Sequence, residues 1–149
     1  MNTSRLVAML AGVASALVLV PANARDDRMT FPVADAMTTD AARSALSSEI
    51  RMFFGDAAHP AVERSFGIFT SNKKTNAVGK SDKLACEWAF LSAMKSFQER
   101  AVREGGNAVI NIRSIYKGKL LTSVTDYECG AGNIMVGVTF KGEVVKLDK

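Results

Sequence analysis

The chain has few of the residues that usually carry chemistry. Its 149 residues include one histidine, two cysteines, one tryptophan and three prolines. The lone histidine, His59, precedes Pro60 in a turn, and no spacing ties it to a nucleophile or to an orienting acid such as Asp56 or Glu63. A hydrolytic triad is therefore not expected. One histidine and two distant cysteines fall short of the four close ligands that zinc requires, so no metal and no cofactor are expected. There is no Cys-x-x-Cys, no internal repeat and no low-complexity tract. Beyond residue 20 no apolar run is long enough to span a bilayer. Charge of one sign is not concentrated either. Nineteen Lys and Arg face fifteen Asp and Glu along the whole chain. The nearest thing to a basic cluster, Lys73-Lys74 with Lys80 and Lys83, reads as a solvated face, and no nucleic-acid partner is expected. Gly79-Lys80-Ser81 has the second half of a phosphate-binding loop, but Lys74 stands where the first glycine is required. ATP hydrolysis is excluded on that ground, and the chain is expected not to be an enzyme.

The informative feature is the start. Met1-Asn2-Thr3-Ser4-Arg5 precedes an apolar run from Leu6 to Val20 and then Pro21-Ala22-Asn23-Ala24. This is the pattern of an export signal, residues 1–24, with cleavage after Ala24. No cysteine lies near the site to carry a lipid. The expected product is periplasmic or secreted, and not membrane-spanning after cleavage. Losing Arg5 lowers the net charge from +4 to about +3. Both cysteines, Cys86 and Cys129, lie in the remaining part. An even count in an oxidising compartment favours a structural disulfide over a redox or metal pair. Closing so long a loop contributes roughly 4 kcal/mol by the chain-entropy argument.

Residues 25–48 read as an N-terminal segment, extended and weakly ordered at first, with a short helix capped near Thr38-Thr39-Asp40. Residues 49–149 read as a single domain. Ile50–Phe54 and Val62–Ser71 are expected strands, and polar residues 71–76 an expected loop. The strongest helix is expected over 82–104. Cys86, Phe90, Ala93, Met94, Phe97 and Ala101 form its apolar stripe, Ser81 its cap, and Gly105-Gly106 its end. Trp88 lies off the centre of that stripe, free to pack on the N-terminal segment or to meet a partner. The period then changes to two, with strands expected over 108–114, 121–129, 134–140 and 143–147. The expected fold class is α+β: one long helix on a mainly antiparallel sheet of four to five strands, with one disulfide.

The run Ala101-Val102-Arg103-Glu104-Gly105-Gly106-Asn107-Ala108-Val109-Ile110-Asn111-Ile112-Arg113 resembles the helix–Gly–Asn-Ala-Val–strand signature of the YbjQ-like family, also called heavy-metal-binding. It also resembles the C-terminal domain of the Rcs stress-sensor lipoprotein. Cys129-Gly130-Ala131-Gly132 and the strand around Met135–Val145 fit the same pattern, so the likeness covers roughly residues 62–147. The Rcs lipoprotein has a lipidated cysteine and more than one disulfide, which this chain lacks, and no ligand set of the YbjQ-like proteins carries over. The helix-to-strand motif Gly105, Gly106, Asn107 and Ala108 has a physical rationale. The glycines end the helix, Asn107 is placed to bond its exposed carbonyls, and Ala108 is small enough to sit beneath the helix end. The whole chain is also similar to small exported proteobacterial proteins that carry the label "excinuclease ATPase subunit", through Phe53-Phe54-Gly55-Asp56, His59-Pro60, Asn76–Asp82 and Tyr127-Glu128-Cys129-Gly130.

The resemblance and the export signal together imply a non-enzymatic periplasmic domain that binds an envelope protein or component, in the class of envelope stress response. Trp88, Lys73 and Lys74 are its candidate contact residues. A sheet edge would also permit homo-oligomers. The alternative is a small-molecule or metal-ion binder.

Overall fold

The computed structural model describes residues 24–149. The expected export signal, apart from Ala24, lies outside the described residues. In chain order the elements are β1 (Asp27–Pro32), α1 (Val33–Met37), α2 (Asp40–Ala45), β2 (Arg51–Phe54), β3 (Val62–Asn76), α3 (Asp82–Glu104), β4 (Ala108–Tyr116), β5 (Lys119–Leu121), β6 (Asp126–Ala131) and β7 (Met135–Leu147).

β7 organises the sheet because it is long and apolar at alternate positions. Val136, Val138, Phe140 and Val144 point one way and are all buried. One edge of β7 pairs antiparallel with β3 from Val62↔Leu147 to Asn76↔Met135. Its other edge is shared. β6 takes the beginning through Gly130↔Gly137 and Ala131↔Val136, and β4 takes the rest from Ser114↔Phe140 to Ala108↔Val145. β1 then adds to β6, β5 to the end of β4, and β2 to the start of β4.

The expected α+β layer is corrected by this arrangement. Strand accounts for 44% and helix for 27% of the structure, in a curled, mixed sheet of seven strands. The extra strands come from stretches that look irregular in the sequence. The weakly ordered N-terminal segment supplies β1. The polar run 71–76, expected as a loop, is the second half of β3, because β7 offers its backbone a partner at every residue. Lys141-Gly142, expected to interrupt a strand, lies inside β7. A Cβ on Gly142 would sit 2.9 Å from Val109 Cγ1 and 3.4 Å from Phe97 Cζ, so the missing side chain admits the helix. The sheet is mixed because β2 lies parallel to β4, with β3 and α3 as the crossover between them.

α3 begins and ends as its residues dictate. Ser81 Oγ accepts from the Leu84 amide at 3.2 Å, and Gly105 adopts φ 82°, a left-handed C-cap. Ala85, Cys86, Ala89, Phe90, Ala93, Met94, Phe97 and Ala101 are buried against one face of the sheet. Phe90 is the hub. Its ring centroid lies 4.6 Å from that of Tyr127, 5.6 Å edge-on from Phe140 and 5.8 Å from Phe54. Each such aromatic contributes about 1.5–3 kcal/mol by burial. Cys86 and Cys129 form the one disulfide, with Cα atoms 6.0 Å apart and both residues fully buried. It ties the first turns of α3 to β6.

The helix-to-strand corner differs in one respect from the expectation. The helix-end carbonyls of Ala101 and Val102 are met by the Gly105 and Gly106 amides. Asn107 instead bonds both main-chain groups of Leu147: Oδ1 accepts from its amide at 2.8 Å and Nδ2 donates to its carbonyl at 3.0 Å. The asparagine continues the β4–β7 ladder by one side-chain rung. Ala108 does not sit beneath the helix end. With Ile110, Val145, Leu147 and Phe53 it forms a second, smaller cluster. These residues alternate with Val109 and Val144 of the main core, which places them on the opposite sheet face.

Candidate functional site

The sheet face opposite α3 carries a concavity of about 420 Å³ over the meeting point of β3, β7 and β6. Strand alternation decides what faces it. Lys74, Gly137, Gly130 and Arg28 are successive register partners across β3, β7, β6 and β1. The two central partners have no side chains, so the row dips in the middle. Tyr116 from the end of β4 lies over one glycine, its Cε2 2.9 Å from where a Gly130 Cβ would stand. The stem of Lys74 lies over the other, with Cγ 3.1 Å from an added Gly137 Cβ. Backbone therefore makes the floor, and Lys74 and Tyr116 make the two walls.

Glu128 lines the concavity two residues along β6 from Gly130. Here β6 and β7 separate, because β7 leaves β6 after Gly137 and takes β4 as its partner from Phe140 onward. The Glu128 side chain is only 2% exposed. Its Oε1 accepts from Arg28 Nε at 2.5 Å and also from the Arg28 Nη2 group. Its Oε2 is buried and has no hydrogen-bond partner. The Glu128 amide donates to Ser114 Oγ at 3.0 Å, which anchors the backbone. A buried carboxylate oxygen without a donor is costly, on the order of 1–3 kcal/mol or more for a charged group, so an unfilled acceptor here marks a place for a donor.

The rim is charged and largely paired. Tyr116 Oη donates to Asp26 Oδ1 at 2.8 Å, and Lys117 Nζ lies 2.5 Å from Asp26 Oδ2. Hydrogen bonding from Lys117, then from Tyr116, holds the Asp26 carboxyl below its ordinary range. Burial, then the Asp26 carboxylate, pushes the Tyr116 hydroxyl up. Arg25 spans Asp27, at 2.6 Å, and Asp82 at the start of α3, at 2.5 Å. Its hydrogen bonds lower the Asp82 carboxyl. The Arg28 guanidinium lies 5.8 Å from the Tyr116 ring centroid and Lys117 Nζ 5.4 Å from it. Lys74 is the rim cation without an acidic partner among the described residues. A free acceptor, a free cation and an aromatic wall are elements of recognition.

The residues singled out from sequence fall in separate places. Lys73 and Lys74, expected in one loop, are neighbours on β3 and therefore point to opposite faces. Only Lys74 reaches the concavity. Trp88 is half-exposed on α3 and shares a shallow dip of about 70 Å³ with Thr39, Ala41, Leu84, Glu87 and Leu91. It thus touches on the N-terminal segment and still presents surface. His59 bonds the Pro60 carbonyl through Nδ1 at 2.8 Å and meets the Phe53 ring edge-on. Asp56 pairs with Arg113 and Glu63 with Lys146, so the three are held by different partners. Among the described residues no three His, Cys, Asp or Glu side chains gather closely enough to hold a metal ion. No helix among them is long and apolar enough to cross a membrane.

Sequence reasoning missed Glu128, Arg28, Tyr116, Asp26 and Lys117. The usable signal was the alternation Tyr127-Glu128-Cys129, which sets the acid opposite two core residues. Its burial on that other face depends on Arg28, a hundred positions away. A scan of protein-family models found no match, and a search of curated proteins found none either.

Proposed function

We propose that this chain is an exported, periplasmic binding domain, not an enzyme, that takes up a polar component of the cell envelope in the concavity above Gly130 and Gly137. The observation that carries the reading is the orphaned Oε2 of buried Glu128 at the edge of a pocket of ligand size. The buried Cys86–Cys129 bridge is consistent with an oxidising compartment. The export pattern in residues 1–24 and the likeness to the YbjQ-like proteins and the Rcs sensor domain support a place in envelope stress response.

Self-association through the free edge of β3 has less support. β7 covers only one side of that strand, but bulges near Arg64 and Gly67 and the basic residues Arg64, Lys73 and Lys74 are features that keep sheet edges apart. Metal binding has less support still, because Glu128 is paired with Arg28 and among the described residues no three His, Cys, Asp or Glu side chains gather to hold an ion.

Two measurements test the reading. Protein recovered from the periplasm should have a mass lacking residues 1–24 and no thiol until it is reduced. Fractionated envelope extracts should raise its melting temperature, and Asn72→Trp, which fills one side of the concavity, should abolish the rise. A cytoplasmic protein with its N-terminus intact, or melting that no fraction changes, would refute it.

A further inference from the structure

The geometry points to the chemical class of the ligand: a short peptide ending in a free carboxylate, with its C-terminal amide N–H donated to Glu128 Oε2 and its carboxylate held by Lys74. This rests on the binding-domain reading above and narrows it. Three features of the concavity lead there.

The first is the sign and state of Glu128. Arg28 already balances its charge through Oε1. What Oε2 lacks is a hydrogen-bond donor, and a neutral amide N–H satisfies it without bringing a second cation next to the guanidinium. The second is Lys74. It has no acidic partner among the described residues, its stem is laid across Gly137, and it lines the trough. A carboxylate is the group that matches it. The third is distance. Two strand spacings and a two-residue offset put the Lys74 and Glu128 Cα atoms about 12 Å apart. Once both side chains reach inward, several ångströms remain between their polar ends. With a hydrogen-bond length to fill at each end, that gap matches the N–H and the carboxylate of one C-terminal peptide residue. The concavity between the Tyr116 and Lys74 walls holds about 420 Å³, and Tyr116 and Met135 offer apolar surface to the peptide's side chains.

The test is a chemical-shift titration of the isotope-labelled, oxidised protein, following the Gly130 and Gly137 amides. The probes are N-acetyl-alanyl-alanine, its C-terminal amide, the ester analogue N-acetyl-alanyl-lactate, alanyl-alanine and free alanine. The acetylated acid is expected to saturate in the low millimolar range. Amidation, which removes the carboxylate, should weaken binding tenfold or more, and so should the ester, which removes the N–H. Unblocked alanyl-alanine should bind within about threefold of the acetylated acid, because Glu128 needs a donor and not a charge. Free alanine, whose only N–H donor is a charged ammonium, should bind at least tenfold more weakly, and equal binding would overturn the amide argument. Lys74→Met, a change on an exposed edge strand, should erase the preference for acid over amide. The proposal is overturned if acid, amide and ester bind alike, or if Lys74→Met keeps the preference. Should no peptide move either glycine amide while magnesium chloride or inorganic phosphate does, the ligand class is wrong and the binding concavity stands. Should no probe move them, both readings fall.

Discussion

Replacing both cysteines by alanine should lower the melting temperature by about 15 °C. The bridge joins residues 43 apart in sequence. Cross-linking a loop of that length removes roughly 13 cal/mol/K from the unfolded chain, or about 4 kcal/mol at 25 °C. A domain of about 125 residues has an unfolding entropy near 260 cal/mol/K at its midpoint, and the ratio of the two gives the shift. Native strain or residual structure in the unfolded chain would reduce it. Cys86 and Cys129 are fully buried between α3 and β6, so a packing loss adds to the effect. The assay is paired calorimetry and urea unfolding of the oxidised native protein and the double variant at one pH. Dithiothreitol without denaturant should leave the native protein bridged, because the sulfurs are reached only through opening of the fold. A shift below about 5 °C with an unchanged denaturant slope would refute the loop-entropy argument for this chain. Rapid reduction under native conditions would refute the burial of the bridge.

Three further outcomes are expected. Asn107→Ala strips Leu147 of both Asn107 hydrogen bonds and should cost about 1–3 kcal/mol in urea, and Asn107→Asp, which sets a carboxylate oxygen against the Leu147 carbonyl, should not recover that loss. Tyr127→Phe removes a buried hydroxyl that has no partner, and its denaturation midpoint should stay level or rise by up to about 1 kcal/mol in stability. Burial, with Glu87 and Asp35 adding to it, pushes the Tyr127 hydroxyl well up. That contribution to stability is present below the ordinary phenol value near 10 and is lost as pH rises through the folded-state value, so phenolate absorbance should appear together with alkaline unfolding. At the acid side the signs reverse. Asp26 and Asp82 are lowered by Lys117 and Arg25, so their contribution is present above the ordinary value of 3.8 and is lost as pH falls through the lower folded values. Melting of Arg25→Ala should therefore depend less on pH in that window than melting of the native protein.

The elements most legible in the sequence were those whose signals are local. α3 is bounded by Ser81 and by Gly105, and each does its work within four residues of itself. Thr39 caps α2 in the same way, accepting from the Ala42 amide at 3.1 Å. The cysteine pair was legible by counting. The β3 extension was not, because residues 71–76 are polar and only the facing β7 makes them a strand. Asn107 shows the same limit at one residue. Its amide was readable as a capping group, but its partner is Leu147, forty positions away.

The concavity marks the division most sharply. Composition and order alone determined where the long helix lies, which residues line its buried stripe, which cysteines are available to bond, and that His59 has no catalytic neighbour in sequence. Tertiary structure alone decided that Lys73 and Lys74 part to opposite faces and that Gly130 meets Gly137. It also decided that Arg28 neutralises one oxygen of Glu128 and leaves the other without a donor. The physical reason is range. Capping, periodicity and turn chemistry act within a few residues, whereas a sheet face is assembled from strands whose register depends on every neighbour, and a one-residue slip would turn Lys74 and Glu128 away from each other.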